Sequence, residues 1–263
     1  MSHQQELTAN KLKVKIYNTR DEMGVKAAQD AADGIKALLQ KQDEVNMIFA
    51  AAPSQNEFLS ALSGIQGIDW ARVNAFHMDE YIGLDENAPQ LFGQFLKDRI
   101  FDKVPFKNIF YINGNTSDPL NECKRYSKLL SEYPTDIVCM GIGENAHIAF
   151  NDPHIANFND PLPVKIVELS QASRHQQVHD KCFARIELVP LAAITLTVPT
   201  LMNAELVYCI VPGTTKSRAV FHTLQSEIVE QYPSTILRKH GNAILYLDKD
   251  SAAELDTLLK TYD

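Results

Sequence analysis

The sequence predicts an α/β fold: three layers, with a mostly parallel, Rossmann-like sheet between helices on both faces. Three observations lead there. Short runs rich in Val, Ile, Phe and Tyr alternate with longer stretches carrying apolar residues every three to four positions. Several of the short runs are apolar without strict alternation, as in strands buried on both faces. Strand–helix–strand alternation of this kind builds parallel sheets with helical crossovers.

In chain order, the start MSHQQELTANKLKVK is polar and lacks the apolar core of a signal peptide. A strand is expected at 12–17. A helix follows at 21–41, with Met23, Ala27, Ala31, Ile35, Leu38 and Leu39 on one face. Further strands are expected at 45–51, 73–78, 109–112, 136–142, 193–198, 206–211 and 243–247, most of them bounded by Pro, Gly, Asn or Asp. Helical spacing recurs at 56–63, 90–101, 121–133, 215–228 and 251–262. With no internal repeat, low-complexity tract or Gly/Ser linker, residues 1–263 read as a single domain.

Composition excludes several classes. The chain has 25 Lys+Arg against 33 Asp+Glu, a net charge of −8, so nucleic acid is not an expected partner. An anionic small molecule fits if positive charge is focused in one cleft. No apolar run reaches the ~18–20 residues of a membrane helix. Cys123, Cys139, Cys182 and Cys209 are far apart, without zinc or disulfide spacing, and Cys139 and Cys209 sit in apolar runs as small buried hydrophobes. A reducing cytoplasm suits such cysteines.

Ligands of open parallel sheets bind outside the carboxyl ends of the strands. Four such ends are chemically loaded here. Ser54 and Gln55 follow 45–51; they read either as a helix cap or as an anion seat. Asp79 and Glu80 follow the apolar run at 73–78, as a solvated turn or as a general base in a cleft. Gly141, Gly143, Asn145, His147 and Asp152 follow 136–140; the two glycines lack the third of a dinucleotide fingerprint, and His147 has polar side chains near to orient it. Gly213, Thr214, Thr215 and Lys216 follow 206–211, a turn that suits a phosphate monoester without being a Walker motif.

These segments carry a resemblance. FHMDEYIGL at 76–84 looks like the F-x-M-D-E-Y-x-G-L segment of the glucosamine-6-phosphate deaminase (isomerase) family. GIGENAHIAFNDP at 141–153 resembles that family's G-I-G-x-D-G-H-I-A-F-N-E-P, and AITLTVPT at 193–200 resembles its A-I-T-x-T-x-x-T strand. The histidine segment is closer to the deaminases than to the related 6-phosphogluconolactonases.

The resemblance implies conversion of an amino-sugar 6-phosphate, gluco or galacto, to a ketose 6-phosphate and ammonia, without metal or organic cofactor. It implies that His147 assists ring opening, that Asp79 carries the proton between C1 and C2, and that Lys216 binds phosphate. Ser54 falls where the family has a phosphate-loop threonine, and Lys181 where it has a phosphate-binding arginine. Gln55, Glu80, Gly141 and Gly143 complete the expected substrate-binding set, with Asn145 and Asp152 beside His147 in the catalytic one. Family members are often homo-oligomers, so self-association is also an expectation.

The departures are specific. Asn145 replaces an aspartate, Ala146 a glycine, Asp152 a glutamate, and Ala52-Pro53 a Gly-Gly pair. Asn145 can accept a hydrogen bond from the imidazole but adds no charge, and a neutral partner can select the wrong tautomer. Asp152, one methylene short, is expected to miss the ring or reach it through water. Asn145→Asp is therefore expected to raise kcat. Two other readings stand beside the enzyme: a sugar-phosphate-binding protein with weak or no catalysis, and a 6-phosphogluconolactonase-like hydrolase.

Overall fold

A computed structural model describes residues 5–255. Its strands are β1 (Gln5–Ala9), β2 (Leu12–Tyr17), β3 (Val45–Phe49), β4 (Val73–His77), β5 (Asp79–Tyr81), β6 (Asn108–Phe110), β7 (Ile137–Met140), β8 (Val164–Glu168), β9 (Ala192–Leu196), β10 (Leu206–Val211) and β11 (Ala243–Asp248). The helices are α1 (Arg20–Leu39), α2 (Asn56–Gly64), α3 (Phe92–Leu96), α4 (Pro119–Glu132), α5 (Gln171–His179), α6 (Val198–Met202) and α7 (Ser217–Gln225).

Eight strands form the main sheet in the order β1-β2-β11-β10-β7-β3-β4-β6. All its pairings are parallel except the β1–β2 edge hairpin. Side chains of a strand point to alternate faces, and here that alternation divides two cores. Val45, Met47 and Phe49 of β3, Ile137 and Cys139 of β7, and Tyr208 and Ile210 of β10 join one core with α1 and α2. Ile48, Val138, Met140, Val207, Cys209 and Val211 point into the other, with Tyr126 of α4 and Val220 of α7. Runs that must be apolar on both faces lose the period-2 signal, as the sequence shows.

Helix α1 lies close to the sheet because Ala27, Ala28, Ala31 and Ala32 are all fully buried on its inner face. Its start is set by Thr19, whose side chain accepts from the Glu22 N–H at 3.2 Å. Asp118 caps α4 in the same way, ahead of a first-turn Pro119.

Several features differ from expectation, and β5, β8 and α5 lie where no element was expected. Strand β1 lies in the polar start; it turns into β2 through Asn10 at φ +54, a left-handed conformation that asparagine tolerates. The 193–198 run is not in the parallel sheet. As β9 it pairs antiparallel with β5 and β8 in a separate three-stranded sheet, and burial on both faces made it look like its parallel neighbours. The 90–101 helix starts at Phe92 and changes to a π-helical turn at Lys97–Phe101. Of the helix at 251–262, residues 253–255 are helical and 256–262 lie outside the described residues. Among the described residues no helix is long and apolar enough to cross a membrane.

Candidate active site

Strands β10, β7, β3 and β4 are neighbours and parallel, so their carboxyl ends share one edge. The four loaded segments meet there around a cleft with about 500 Å³ of empty space, its open mouth included. Ser54 and Gln55, Asp79, Gly141, Gly143 and His147, and Lys216 all line it.

His147 is buried, and its Nδ1 faces three oxygens. Asn145 Oδ1 lies at 2.8 Å, Ser173 Oγ at 3.1 Å and Asp152 Oδ1 at 3.3 Å. Asn145 Oδ1 also accepts from the His147 backbone N–H at 3.2 Å, while its Nδ2 donates to Asp152 Oδ1 at 2.8 Å. Only one orientation of the amide satisfies both bonds. Oxygen acceptors at Nδ1 place the proton there and leave Nε2 as a lone pair. The neutral Asn145 therefore does not scramble the tautomer.

Asp152 does reach the ring, contrary to expectation, because the loop curls. Ala146 and Ala149 have φ of +67 and +49, and Gly143 N donates to His147 O at 2.9 Å. Asp152 is fully buried, which by itself would raise its pKa; hydrogen bonds from His147, Ser173 and Asn145 outweigh that and hold it below the ordinary carboxylate range. The charge missing at 145 is thus present at 152.

The glycines have local reasons. A Cβ on Gly143 would sit 2.1 Å from His147 Cε1, and one on Gly141 3.1 Å from Gln55 Nε2. Gln55 donates from Nε2 to Ser54 Oγ at 3.1 Å and to the Ile210 carbonyl at 3.1 Å. With its oxygen accepting, Ser54 keeps its own proton free for a ligand oxygen. Ser54 does not cap α2, which has no side-chain cap.

Asp79 opens β5 and is 8% exposed. Burial, and then the neighbouring Glu80 charge, push its pKa well above the usual carboxylate range. His77, which precedes it by two residues, fixes its backbone. Nε2 accepts from the Ile112 N–H at 2.9 Å, so the proton sits on Nδ1 and is donated to the Asp79 carbonyl at 2.9 Å. Burial lowers the His77 pKa to about 4, which keeps it neutral.

Lys216 lies in the 3₁₀ turn Thr214–Lys216 and is 5% exposed. Burial lowers its pKa, against the pull of Asp180 and Glu144. No described residue forms a hydrogen bond or ion pair with its ammonium, which is costly unless an anion completes the site.

Two expected residues are placed elsewhere. Glu80 points away from the cleft, as the alternate position of a strand must, and borders a separate hollow. Lys181 is exposed at φ +60 and lines an adjoining hollow with Arg99 and Asp180. Ser173, Gln176 and Gln177, on α5, were not anticipated; Gln176 and Gln177 line the cleft. The segment QASRHQQVH has no apolar stripe, and its one signal is the Ser170 cap, which accepts from Ser173 N at 3.0 Å.

Among the described residues no group of three or more His, Cys, Asp or Glu is arranged to hold a metal ion. Residues 18–246 match the model of the family described as glucosamine-6-phosphate isomerases/6-phosphogluconolactonase. A glucosamine-6-phosphate deaminase of Bacillus cereus (strain B4264) is 37% identical over 184 residues, 70% of this chain and 68% of that one. Another from Exiguobacterium sp. (strain ATCC BAA-1283 / AT1b) is 38% identical over 188 residues, 71% of each. Among solved structures, a monomeric glucosamine-6-phosphate deaminase superposes with a TM-score of 0.83 at 26% identity, covering 91% of this chain and 98% of that one. A 6-phosphogluconolactonase from Shewanella baltica OS155 shares the fold, with a TM-score of 0.74 at 14% identity, over 92% and 98% of the two chains. The chain belongs to the glucosamine-6-phosphate isomerase/6-phosphogluconolactonase family.

Proposed function

We propose that the protein is an amino-sugar-phosphate isomerase and deaminase. It takes glucosamine 6-phosphate or its galacto epimer, with water, to a ketose 6-phosphate and ammonia. The observation that carries this reading is the meeting of Asp79, His147 and a buried, unpaired Lys216 in one cleft.

The chemistry follows from the protonation states. The phosphate dianion completes Lys216, and the free Ser54 proton adds a hydrogen bond. His147, with Nε2 unprotonated, takes the proton of the anomeric hydroxyl and returns it to the ring oxygen, opening the pyranose. Asp152 supports the imidazolium formed in between. Asp79 as carboxylate removes the C2 proton and delivers it to C1; its raised pKa makes it the stronger base. The C2 imine so formed adds water and expels ammonia. Residues 1–263 act as one domain on this reading: β2 and β11, from opposite ends of the chain, pair in one sheet. The four free cysteines suit a reducing cytoplasm.

The test is turnover of both epimers, with ammonia and ketose phosphate measured together. Asp79→Asn should abolish both products while sugar-phosphate binding persists. Binding without product in the wild type would overturn the enzymatic reading, and hydrolysis of a 6-phosphogluconolactone instead would move the protein to the lactonase branch.

A further inference from the structure

Strand β5 carries two adjacent carboxylates that face opposite ways. Asp79 lines the cleft, and Glu80, 2% exposed, does not. Glu80 is nevertheless fully engaged. Its Oε1 accepts from the N–H of Tyr81 at 2.9 Å and of Phe92 at 3.1 Å, and its Oε2 from the N–H of Gly93 at 2.9 Å. The last two open α3, and the ring of Phe92 lines the cleft. That ring stacks on Phe150, another cleft residue, with centroids 5.7 Å apart and 29° between planes, and lies 4.6 Å from the Tyr81 ring. One carboxylate therefore ties the apolar wall of the cleft to the strand that carries Asp79.

We infer that Glu80 is a positioning residue: its carboxylate fixes the Phe92 wall, and its charge strengthens Asp79 as proton acceptor, without contact with the sugar. This rests on the reading of Asp79 as the proton carrier given above. The electrostatic part follows from the surroundings. Glu80 is one peptide from Asp79, and opposite them β9 offers only Ile194 and Thr195, which carry no charge. On the far side the hollow is bordered by Glu86, Lys97 and Tyr111 and is open to solvent, so Lys97 is screened. Tyr81 beside it is neutral, with its pKa raised by burial. On the Asp79 side the facing groups are His147 and Lys216 in the cleft, and His77, which is neutral. Burial raises the Glu80 pKa to about 7, against the pull of the three N–H donors, so the clamp itself titrates near neutrality.

The test needs no turnover, so its failure is distinct from failure of the proposed reaction. In the wild-type chain the amide protons of Tyr81, Phe92 and Gly93 should shift together between pH 5 and 9, following Glu80. Carboxyl ¹³C NMR, with Asp79 assigned through Asp79→Asn, should show the Asp79 midpoint falling by about one unit in Glu80→Gln. Glu80→Asp keeps the charge but is too short for the clamp: the Asp79 midpoint should stay, while sugar-phosphate affinity falls roughly tenfold as the wall loosens. Amides that do not respond, or an Asp79 midpoint unmoved in Glu80→Gln, would overturn the electrostatic role. Wild-type affinity in Glu80→Asp would overturn the clamp.

Discussion

The His147 imidazole occupies the space where a side chain on Gly143 would begin: a Cβ there would lie 2.1 Å from Cε1, 2.3 Å from Nδ1 and 2.4 Å from Nε2. The glycine is required by the ring, not by a nucleotide. Gly143→Ala should displace the imidazole from its three oxygen partners and lower kcat by about 100-fold, since small misplacements of a catalytic group cost that much. Circular dichroism should show the fold retained. A variant with wild-type kcat would mean that the ring position does not matter to the reaction.

The Asn145–Asp152 contact reverses the expectation that an aspartate at 145 helps. Asn145 Nδ2 donates to Asp152 Oδ1 at 2.8 Å, so Asn145→Asp sets two carboxylates oxygen to oxygen. They cannot both ionise at that distance, and one must take up a proton. The variant should lose roughly tenfold in kcat at neutral pH, by the size expected for a disturbed acid–base partner. The exchange Asn145→Asp with Asp152→Asn keeps one charge in the pair and should recover part of the loss. A single variant faster than wild type in a pH-resolved kcat measurement would restore the original expectation.

What the sequence could and could not show follows from where each signal resides. Strands β2 and β10 were legible to the residue because LKVKIY alternates apolar residues with lysine and LVYCIV is a self-contained apolar run. The convergence of Ser54, Asp79, His147 and Lys216 was legible because strand ends of a parallel sheet share an edge. Strand β5 was not, because the triplet DEY is buried through tertiary contacts, its pairing with β9 and its packing against α3. The reach of Asp152 depends on positive φ at Ala146 and Ala149, which alanine does not announce. Ser173 arrives on a polar helix with no apolar stripe, so nothing linked it to His147.

Backbone strain gives a stability prediction. Ala146 holds φ +67 while 1% exposed, and Lys181 holds φ +60 on the surface. The left-handed region costs a non-glycine residue about 1–2 kcal/mol, part of which glycine returns as unfolded-chain entropy. Ala146→Gly and Lys181→Gly should each stabilise by about 0.5–1 kcal/mol, or roughly 1–4 °C in Tm for a chain of this size. A fall in Tm for both would show that the turns are not strained.

Lys216 should trade stability for binding. Its side chain is largely buried and its ammonium has no hydrogen-bond or ion-pair partner among the described residues, so Lys216→Met removes a desolvation cost and should raise the ligand-free Tm. The same change should raise KM for a 6-phosphorylated sugar by about 100-fold, the weight of a charge-assisted pair of some 2–3 kcal/mol, and hardly affect an unphosphorylated one. Equal effects on both sugars would remove Lys216 from phosphate binding.

Asp79 should be a stability burden that depends on pH. Its pKa is raised in the folded protein, so the folded state holds the proton more tightly than the unfolded chain, where the value is about 4. The stability linked to that proton is fully present below the unfolded value and is lost as pH rises through the folded one. Asp79→Asn cannot lose it. The Tm difference between the variant and the wild type should therefore be small at pH 4 and widen in the variant's favour towards pH 8, while turnover is absent throughout. A Tm difference that stays flat across that range would mean that the Asp79 carboxyl titrates alike in the folded and unfolded chains, and that burial has not made it the stronger base on which the proton transfer relies.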